Sequence, residues 1–151
     1  METLENDERV LAAFEEELKV WQRISHPNIM RVNEVLLDER NYYFDCELLT
    51  GGNLEDRIAT RPEYGYQEEN CAQVMKQVLL AVNFLHKSKI AHRDLKPANI
   101  LLGKRAEGEP LSWEAKLADF GFACTFERRM KQKLGTALYK APELLVDGKY
   151  D

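Results

Sequence analysis

His92-Arg93-Asp94-Leu95-Lys96-Pro97-Ala98-Asn99 runs straight into the apolar Ile100-Leu101-Leu102. Pro97 has no N–H and a fixed φ, which denies this polar stretch a helix, and Lys96 before it is pushed toward extended geometry. Asp94, Lys96 and Asn99 are therefore expected on a stiff turn that leads into a strand. A carboxylate placed there can accept a proton, an ammonium can neutralise a phosphate, and an amide oxygen can ligate a hard cation. For Asp94 taken alone, a polar surface loop of chance composition is the better account.

The eight residues, however, fit the pattern H-R-D-L-x-x-x-N at every fixed position. Two further blocks follow in order. Asp119-Phe120-Gly121 comes after Ala115-Lys116-Leu117-Ala118, and Ala141-Pro142-Glu143 comes after Gly135-Thr136. A lone D-F-G is a weak signal, whereas three blocks in order around strand-like runs are a strong one. On these residues the chain resembles the protein kinase family, serine/threonine type.

The 151 residues, 44% of them hydrophobic, suffice for one ordinary domain with a core. A net charge of −5 gives no electrostatic support to a nucleic-acid or membrane-surface role. Cys46, Cys71 and Cys124 are widely spaced and odd in number, so neither a zinc pattern nor a disulfide framework fits. They read as reduced thiols, and the expected compartment is the cytoplasm, with the nucleus as second choice. No run is long and apolar enough to cross a bilayer. The acidic opening Met-Glu-Thr-Leu-Glu-Asn-Asp-Glu argues against a signal or transit peptide.

Leu11, Phe14, Leu18 and Trp21 form one apolar stripe of an amphipathic helix, which Pro27 should stop near Ser25. Residues 29–37 and 42–48 read as two strands joined by the polar turn Asp38-Glu39-Arg40-Asn41, hence an antiparallel hairpin. Thr50-Gly51-Gly52-Asn53 breaks the pattern and is the best linker in the chain. A short helix is expected over 54–59. The strongest helix is predicted over 67–87, with Cys71, Val74, Met75, Val78, Leu79, Val82 and Leu85 on a wide apolar face. Glu68 and Glu69 suit its first turn, and His86 and Lys87 its last. Strand-like 100–102 and 115–117 flank an exposed charged loop over 103–112. Residues 122–133 lack periodicity and read as a basic loop.

The resemblance implies an α+β, protein-kinase-like fold. Residues 1–48 would form the rear of an incomplete N-lobe, with the family's C-helix and a β-hairpin. Residues 49–53 would be the hinge, and 54–151 the front, mainly helical half of the C-lobe. It implies ATP and Mg2+ as cofactors and proteins as substrates, with no nucleic acid and no membrane. Asp94 matches the catalytic base that orients the substrate hydroxyl. Lys96 matches the lysine that marks serine/threonine kinases and contacts the transferring phosphate. Asn99 and Asp119 match the two magnesium ligands, and Thr136 the threonine that bonds the catalytic pair. Glu17, nine residues before His26-Pro27-Asn28-Ile29, matches the C-helix glutamate that pairs with the ATP-binding lysine. Glu15 and Glu16 beside it leave a solvated acidic face as the plain alternative. Cys46 would be the gatekeeper. The backbone of Glu47 and Leu49 would bond adenine, Asn53 would lie near the ribose, and Leu101 would form the adenine floor. Ala118 would precede the magnesium aspartate. Arg93 in the family can bind a phosphate on the activation segment, yet the one hydroxyl between Phe122 and Gly135 is the early Thr125. Activity independent of phosphorylation in this stretch is therefore expected.

Within the family the calcium/calmodulin-dependent and calcium-dependent kinases are most resembled. The phrases are Glu47-Leu48-Leu49-Thr50-Gly51-Gly52-Asn53-Leu54, Lys116-Leu117-Ala118-Asp119-Phe120-Gly121 and Gly135-Thr136-Ala137-Leu138-Tyr139-Lys140-Ala141-Pro142-Glu143. The sequence has no D-x-D-x-D-G loop, so a calcium sensor would be a further domain or a partner. The chain departs from the pattern in other ways. Its first glycine is Gly51 and its first lysine Lys19, so the G-x-G-x-x-G loop and the strand lysine of the family are not matched. Glu143 has no later arginine to pair with. These departures are expected of an internal piece of a kinase domain. They also keep open a catalytically silent fragment that binds or regulates a partner. Asn53 and Ala98 stand where basophilic relatives carry acidic residues, which argues against a strict arginine preference.

Overall fold

Alternating and β-branched residues around a polar turn make the hairpin. Strands β1 (Val32–Leu37) and β2 (Tyr42–Cys46) pair antiparallel, with Leu37 opposite Tyr42 and Val32 opposite Cys46. The Asp38 N–H donates to the Asn41 carbonyl, and the Asn41 N–H returns to Asp38 Oδ1 at 2.8 Å, which closes the turn. The computed structural model describes residues 18, 21, 24–38, 41–60, 68–103, 114–121, 123–125 and 134–146. The helix expected from Leu11 to near Ser25 is represented there by Leu18 and Trp21, both helical, and it has ended by Ile24, a little short of Ser25. Its remainder, with Glu17, lies outside the described residues, as do most of the 103–112 loop and of the 122–133 segment.

The first strand begins later than its apolar run suggests. Ile29 is drawn away to bridge Leu117, and the Met30 N–H donates to the Leu117 carbonyl at 2.9 Å. Leu117 in turn donates to the Asn28 carbonyl at 2.9 Å. Tertiary pairing therefore claims residues 28–30, and the hairpin starts at Val32. At the other end β2 stops at Cys46, two residues short of the expected run.

Helix α1 (Leu54–Thr60) follows the glycine pair, and helix α2 (Glu68–Lys87) is the long one. The buried row of α2 is Asn70, Val74, Val78, Ala81 and Leu85. The wide apolar face expected there is narrower in fact: Met75 is 48% exposed and Leu79 60%, and Cys71 is exposed as well. A row at three- and four-residue spacing is all that the strands packed against it can cover.

Three short ladders complete the frame. Strand β3 (Ile90–Ala91) pairs with β6 (Cys124–Thr125), and β4 (Ile100–Leu102) pairs with β5 (Ala115–Leu117), both antiparallel. Pro97 excludes an α-helix but opens a single 3-10 turn, Pro97–Asn99, where its missing N–H costs nothing. Lys96 before it is extended, at φ −158 and ψ 160. A second 3-10 turn, Ala137–Tyr139, precedes the short helix α3 (Pro142–Val146). The core lies between α2 and the β4–β5 ladder, where Leu85, Leu102 and Leu117 are fully buried. Among the described residues no helix is long and apolar enough to cross a membrane.

Candidate active site

The site is assembled on loops hung from two ladders. The Ala118 N–H donates to the Asn99 carbonyl at 2.9 Å, one step beyond the Ile100–Leu117 pair. This puts Asn99 and Asp119 at the same end of the β4–β5 ladder. Asp119 sits in the left-handed region at φ 55, which an aspartate tolerates better than most residues. Its Oδ1 accepts the Gly121 N–H at 3.3 Å, and its side chain stays exposed. Asp119 also lines a cavity of about 340 Å3, shared with Cys46, Leu18, Trp21 and Phe120.

Asp94 is 4% exposed, and both of its oxygens are doubly held. Oδ1 accepts the Thr136 N–H at 2.8 Å and the Thr136 hydroxyl at 2.7 Å. Oδ2 accepts Lys96 Nζ at 2.7 Å and Asn99 Nδ2 at 3.1 Å. Lys96 Nζ also donates to Thr136 Oγ1 at 3.0 Å, which closes a triangle of acid, ammonium and hydroxyl. Burial alone would raise the Asp94 carboxyl. Hydrogen bonds from Lys96 and from the side chain and backbone of Thr136 overcome this and hold it at about 2, below its ordinary 3.8. The same contact raises the Lys96 ammonium. Asn99 gives a further N–H to the Asp94 carbonyl at 2.9 Å, so its amide nitrogen faces the loop and its Oδ1 remains a lone-pair donor.

The loop is braced from behind. His92, 3% exposed, bonds the Ala118 carbonyl through Nε2 at 3.0 Å and takes the Asp94 N–H on Nδ1 at 3.3 Å. That pattern defines a neutral ring protonated on Nε2, and burial lowers its pKa accordingly. The ring lies 4.9 Å from Phe120, and Phe120 meets Trp21 edge-on at 4.4 Å. Arg93 is turned to φ 67, and Gly135 passes so close that a Cβ there would stand 2.6 Å from the Arg93 carbonyl oxygen. His92 and Gly135 were not among the residues singled out from the sequence. Their one signal was membership of the two motif blocks.

The glycine pair is sewn to β4: the Gly51 N–H donates to the Leu102 carbonyl, and the Leu102 N–H to the Gly52 carbonyl, both at 2.8 Å. Asn53 bridges Leu101. Leu101 is half-buried between the buried Ile100 and Leu102, so it faces away from the core, as a cleft floor must. The Glu47 N–H is used by the Arg31 carbonyl at 3.1 Å. Among the described residues the Glu47 carbonyl and the Leu49 N–H have no backbone partner, and these two groups could meet an adenine edge. The Asn53 side chain is committed locally. Its Oδ1 caps α1 by accepting the Asp56 N–H at 2.8 Å, and its Nδ2 donates to Asp56 Oδ2 at 2.7 Å. Glu143 is exposed in the first turn of α3.

Asp94, Lys96, Asn99 and Thr136 thus form one bonded cluster, Asp119 stands with Asn99 at one end of the β4–β5 ladder, Glu47 is bonded to β5 and Asn53 to Leu101 of β4, and Leu49 follows Glu47 by two residues. Glu17 lies outside the described residues. Oxygen donors from Asn99 and Asp119 suit a small hard cation that completes its shell with water and phosphate oxygens.

Known proteins are similar to this chain along most of its length. The chain is 40% identical over 135 residues to Probable serine/threonine-protein kinase fhkC of Dictyostelium discoideum, covering 88% of this chain and 22% of that protein. It is 38% identical over 137 residues to Calcium-dependent protein kinase 4 of Plasmodium falciparum, covering 89% and 25%. It is 42% identical over 131 residues to human Calcium/calmodulin-dependent protein kinase type IV, covering 85% and 26%. The chain therefore spans about a quarter of the length of these relatives. The family model for the protein kinase domain matches residues 1–151, and the chain belongs to that family.

Proposed function

We propose that this chain supplies the catalytic loop and nucleotide-facing strands of a serine/threonine protein kinase, which transfers the γ-phosphoryl group of ATP to a protein hydroxyl. The single observation that carries this reading is the closed triangle of Asp94, Lys96 and Thr136. With a pKa of about 2, Asp94 is anionic at neutral pH and a weak base. Its work is to orient the substrate hydroxyl, and it takes the proton late, as positioning-dominated phosphoryl transfer requires. All four lone-pair directions of the carboxylate are occupied in this state, so an incoming hydroxyl must displace a donor. Lys96 is the donor that can leave, because its ammonium gains a phosphate oxygen in exchange.

Asn99 and Asp119 would hold Mg2+, which supplies charge neutralisation at the phosphates. Residues 49–53 act as the hinge, with the Glu47 carbonyl and the Leu49 N–H toward adenine, Leu101 beneath it and Cys46 as gatekeeper. A calcium sensor, in a further domain or on a partner, would regulate the kinase, as the likeness to Calcium-dependent protein kinase 4 and Calcium/calmodulin-dependent protein kinase type IV suggests. The test is phosphate transfer from Mg-ATP to a library of serine- and threonine-containing peptides. Asp94→Asn should lower the rate by about 10²–10⁴-fold, the range for loss of a positioned acid–base group. Transfer unaffected by Asp94→Asn would overturn the reading. Mg-ATP binding without transfer would favour a silent, partner-binding fragment.

A further inference from the structure

Lys116 occupies an unusual place for a lysine. It is the middle residue of β5, between the buried Ala115 and Leu117, and is itself only 9% exposed. Its Nζ donates to Glu47 Oε2 at 2.7 Å, across 69 positions of sequence, and meets Glu114 Oε1 at 3.2 Å. Glu47 is held again on its other oxygen, where Oε1 accepts the Arg31 N–H at 2.7 Å. The Glu47 N–H in turn donates to the Arg31 carbonyl. One carboxylate therefore ties together the start of β1, the residue after β2 and the strand that leads into Asp119.

The register of β4 and β5 adds a consequence. Lys116 is opposite Leu101, and opposed residues in an antiparallel pair project on the same face. The ion pair thus forms on the face that carries Leu101, and it grips the residue whose carbonyl would meet the adenine edge. Charge persists at both partners. Burial would push the Glu47 carboxyl up, but the Lys116 bond holds it below its ordinary range. Burial would lower the Lys116 ammonium, but its bonds to Glu47 and Glu114 raise it. A part-buried pair of this kind adds little net stability against a well-packed apolar substitute, so its retained role is geometric.

We propose that Lys116 is a positioning residue for the nucleotide: through Glu47 it fixes the hinge backbone against the strand that carries Asp119. The proposal rests on the kinase reading given above and identifies what holds the adenine edge of that same site. No other residue among those described links Glu47 to β5 by an ion pair. Removing the ammonium frees Glu47 on one side while the Arg31 contact remains, so the hinge loosens without unfolding the core.

The experiment compares the 151-residue chain with Lys116→Met, Lys116→Arg and Glu47→Gln. Two quantities are read: binding of adenosine and of Mg-ATP by calorimetry, and amide hydrogen exchange at Glu47 against α2 core amides. Lys116→Met should weaken adenosine binding about tenfold, well inside the losses that indirect misplacement can cause. It should also speed exchange of the Glu47 amide about tenfold while α2 amides hold. Lys116→Arg, which keeps the charge, should restore both, and Glu47→Gln should fall between. Unchanged adenosine affinity in Lys116→Met, or a Glu47 amide that exchanges no faster than in the parent, would overturn the proposal with nucleotide binding of the parent intact. If the parent binds neither adenosine nor Mg-ATP, the kinase reading itself has failed and the nucleotide role falls with it. A general loss of α2 protection in Lys116→Met that Lys116→Arg does not reverse would mark a purely structural lysine and overturn the proposal too.

Discussion

Thr136 and Asp94 lie 42 positions apart, yet Thr136 gives Asp94 Oδ1 both its N–H, at 2.8 Å, and its hydroxyl, at 2.7 Å. The stretch before Ala141-Pro142-Glu143 is thereby fastened to the Asp94 loop by a pair of charge-assisted hydrogen bonds. Thr136→Ala removes the hydroxyl from Asp94 and an acceptor from Lys96. A hydrogen bond to a charged group contributes about 1.5–3 kcal/mol, and the variant should lose stability in that range. Thr136→Ser should lose far less. Urea unfolding of both variants checks this, and equal losses would show that the methyl group rather than the hydroxyl matters.

Stability should fall with pH in two steps. His92 is neutral when folded, with its pKa lowered by burial from an ordinary 6.5. Below 6.5 the unfolded chain takes a proton that the folded ring refuses, so stability declines as pH drops through that region. Asp94 has a depressed folded pKa of about 2 against 3.8. Its contribution is present above 3.8 and is lost as pH falls toward 2. The unfolding free energy of the parent minus that of Asp94→Asn, measured from pH 7 to pH 2, should shrink only below about pH 4. A difference that shrinks already near neutrality would contradict this assignment.

Gly135 and Gly52 both have positive φ, at 94 and 74, but their surroundings differ. A Cβ at Gly135 would stand 2.6 Å from the Arg93 carbonyl oxygen, whereas at Gly52 it would meet nothing within 4 Å. Gly52→Ala should cost only the left-handed penalty of about 1–2 kcal/mol. Gly135→Ala must in addition push the Arg93–Asp94 backbone aside and should cost clearly more. Thermal unfolding of the two variants side by side decides the point, and equal midpoints would refute it.

Asn53→Ala removes the cap of α1 and should destabilise by about 1 kcal/mol. Asn53→Asp keeps an acceptor for the Asp56 N–H and should recover much of that loss, less the repulsion from Asp56 itself. If Asn53→Ala weakens Mg-ATP binding at unchanged stability, the side chain serves the ribose and its capping role is secondary.

The bonded cluster around Asp94 was legible because its members fall in short blocks whose chemistry is local. Pro97, the run into Ile100 and the D-F-G triplet each state their own geometry. The hairpin was equally plain, from its polar turn. What eluded sequence reading was long-range. Ile29 looks like strand β1 until Leu117 claims it, and the buried face of α2 could not be narrowed without knowing what covers it. Lys116 was visible only as a charge inside an apolar run. Nothing local announces a partner 69 positions earlier. Asn53 also has a purely local role, since an ordinary capping rule accounts for its side chain on Asp56.

Two anchors described above are separated by three residues. Glu47 is moored to Arg31 and Lys116, and Gly51 is moored to Leu102. Between them run only Leu48, Leu49 and Thr50, and Leu48 is 86% exposed, with no packing to resist its rotation. Any swing of β2 against β4 must be taken up by the backbone torsions of this span and, on the β1 side, by those beside Met30, which is held to Leu117. So short a fulcrum would convert a small twist into a large displacement at the far tip of the hairpin, while the Glu47 carbonyl and the Leu49 N–H beside the pivot would scarcely travel. The turn at Asp38–Asn41 would then sweep the widest arc of any part of the described hairpin, and the site would keep its grip while it does so.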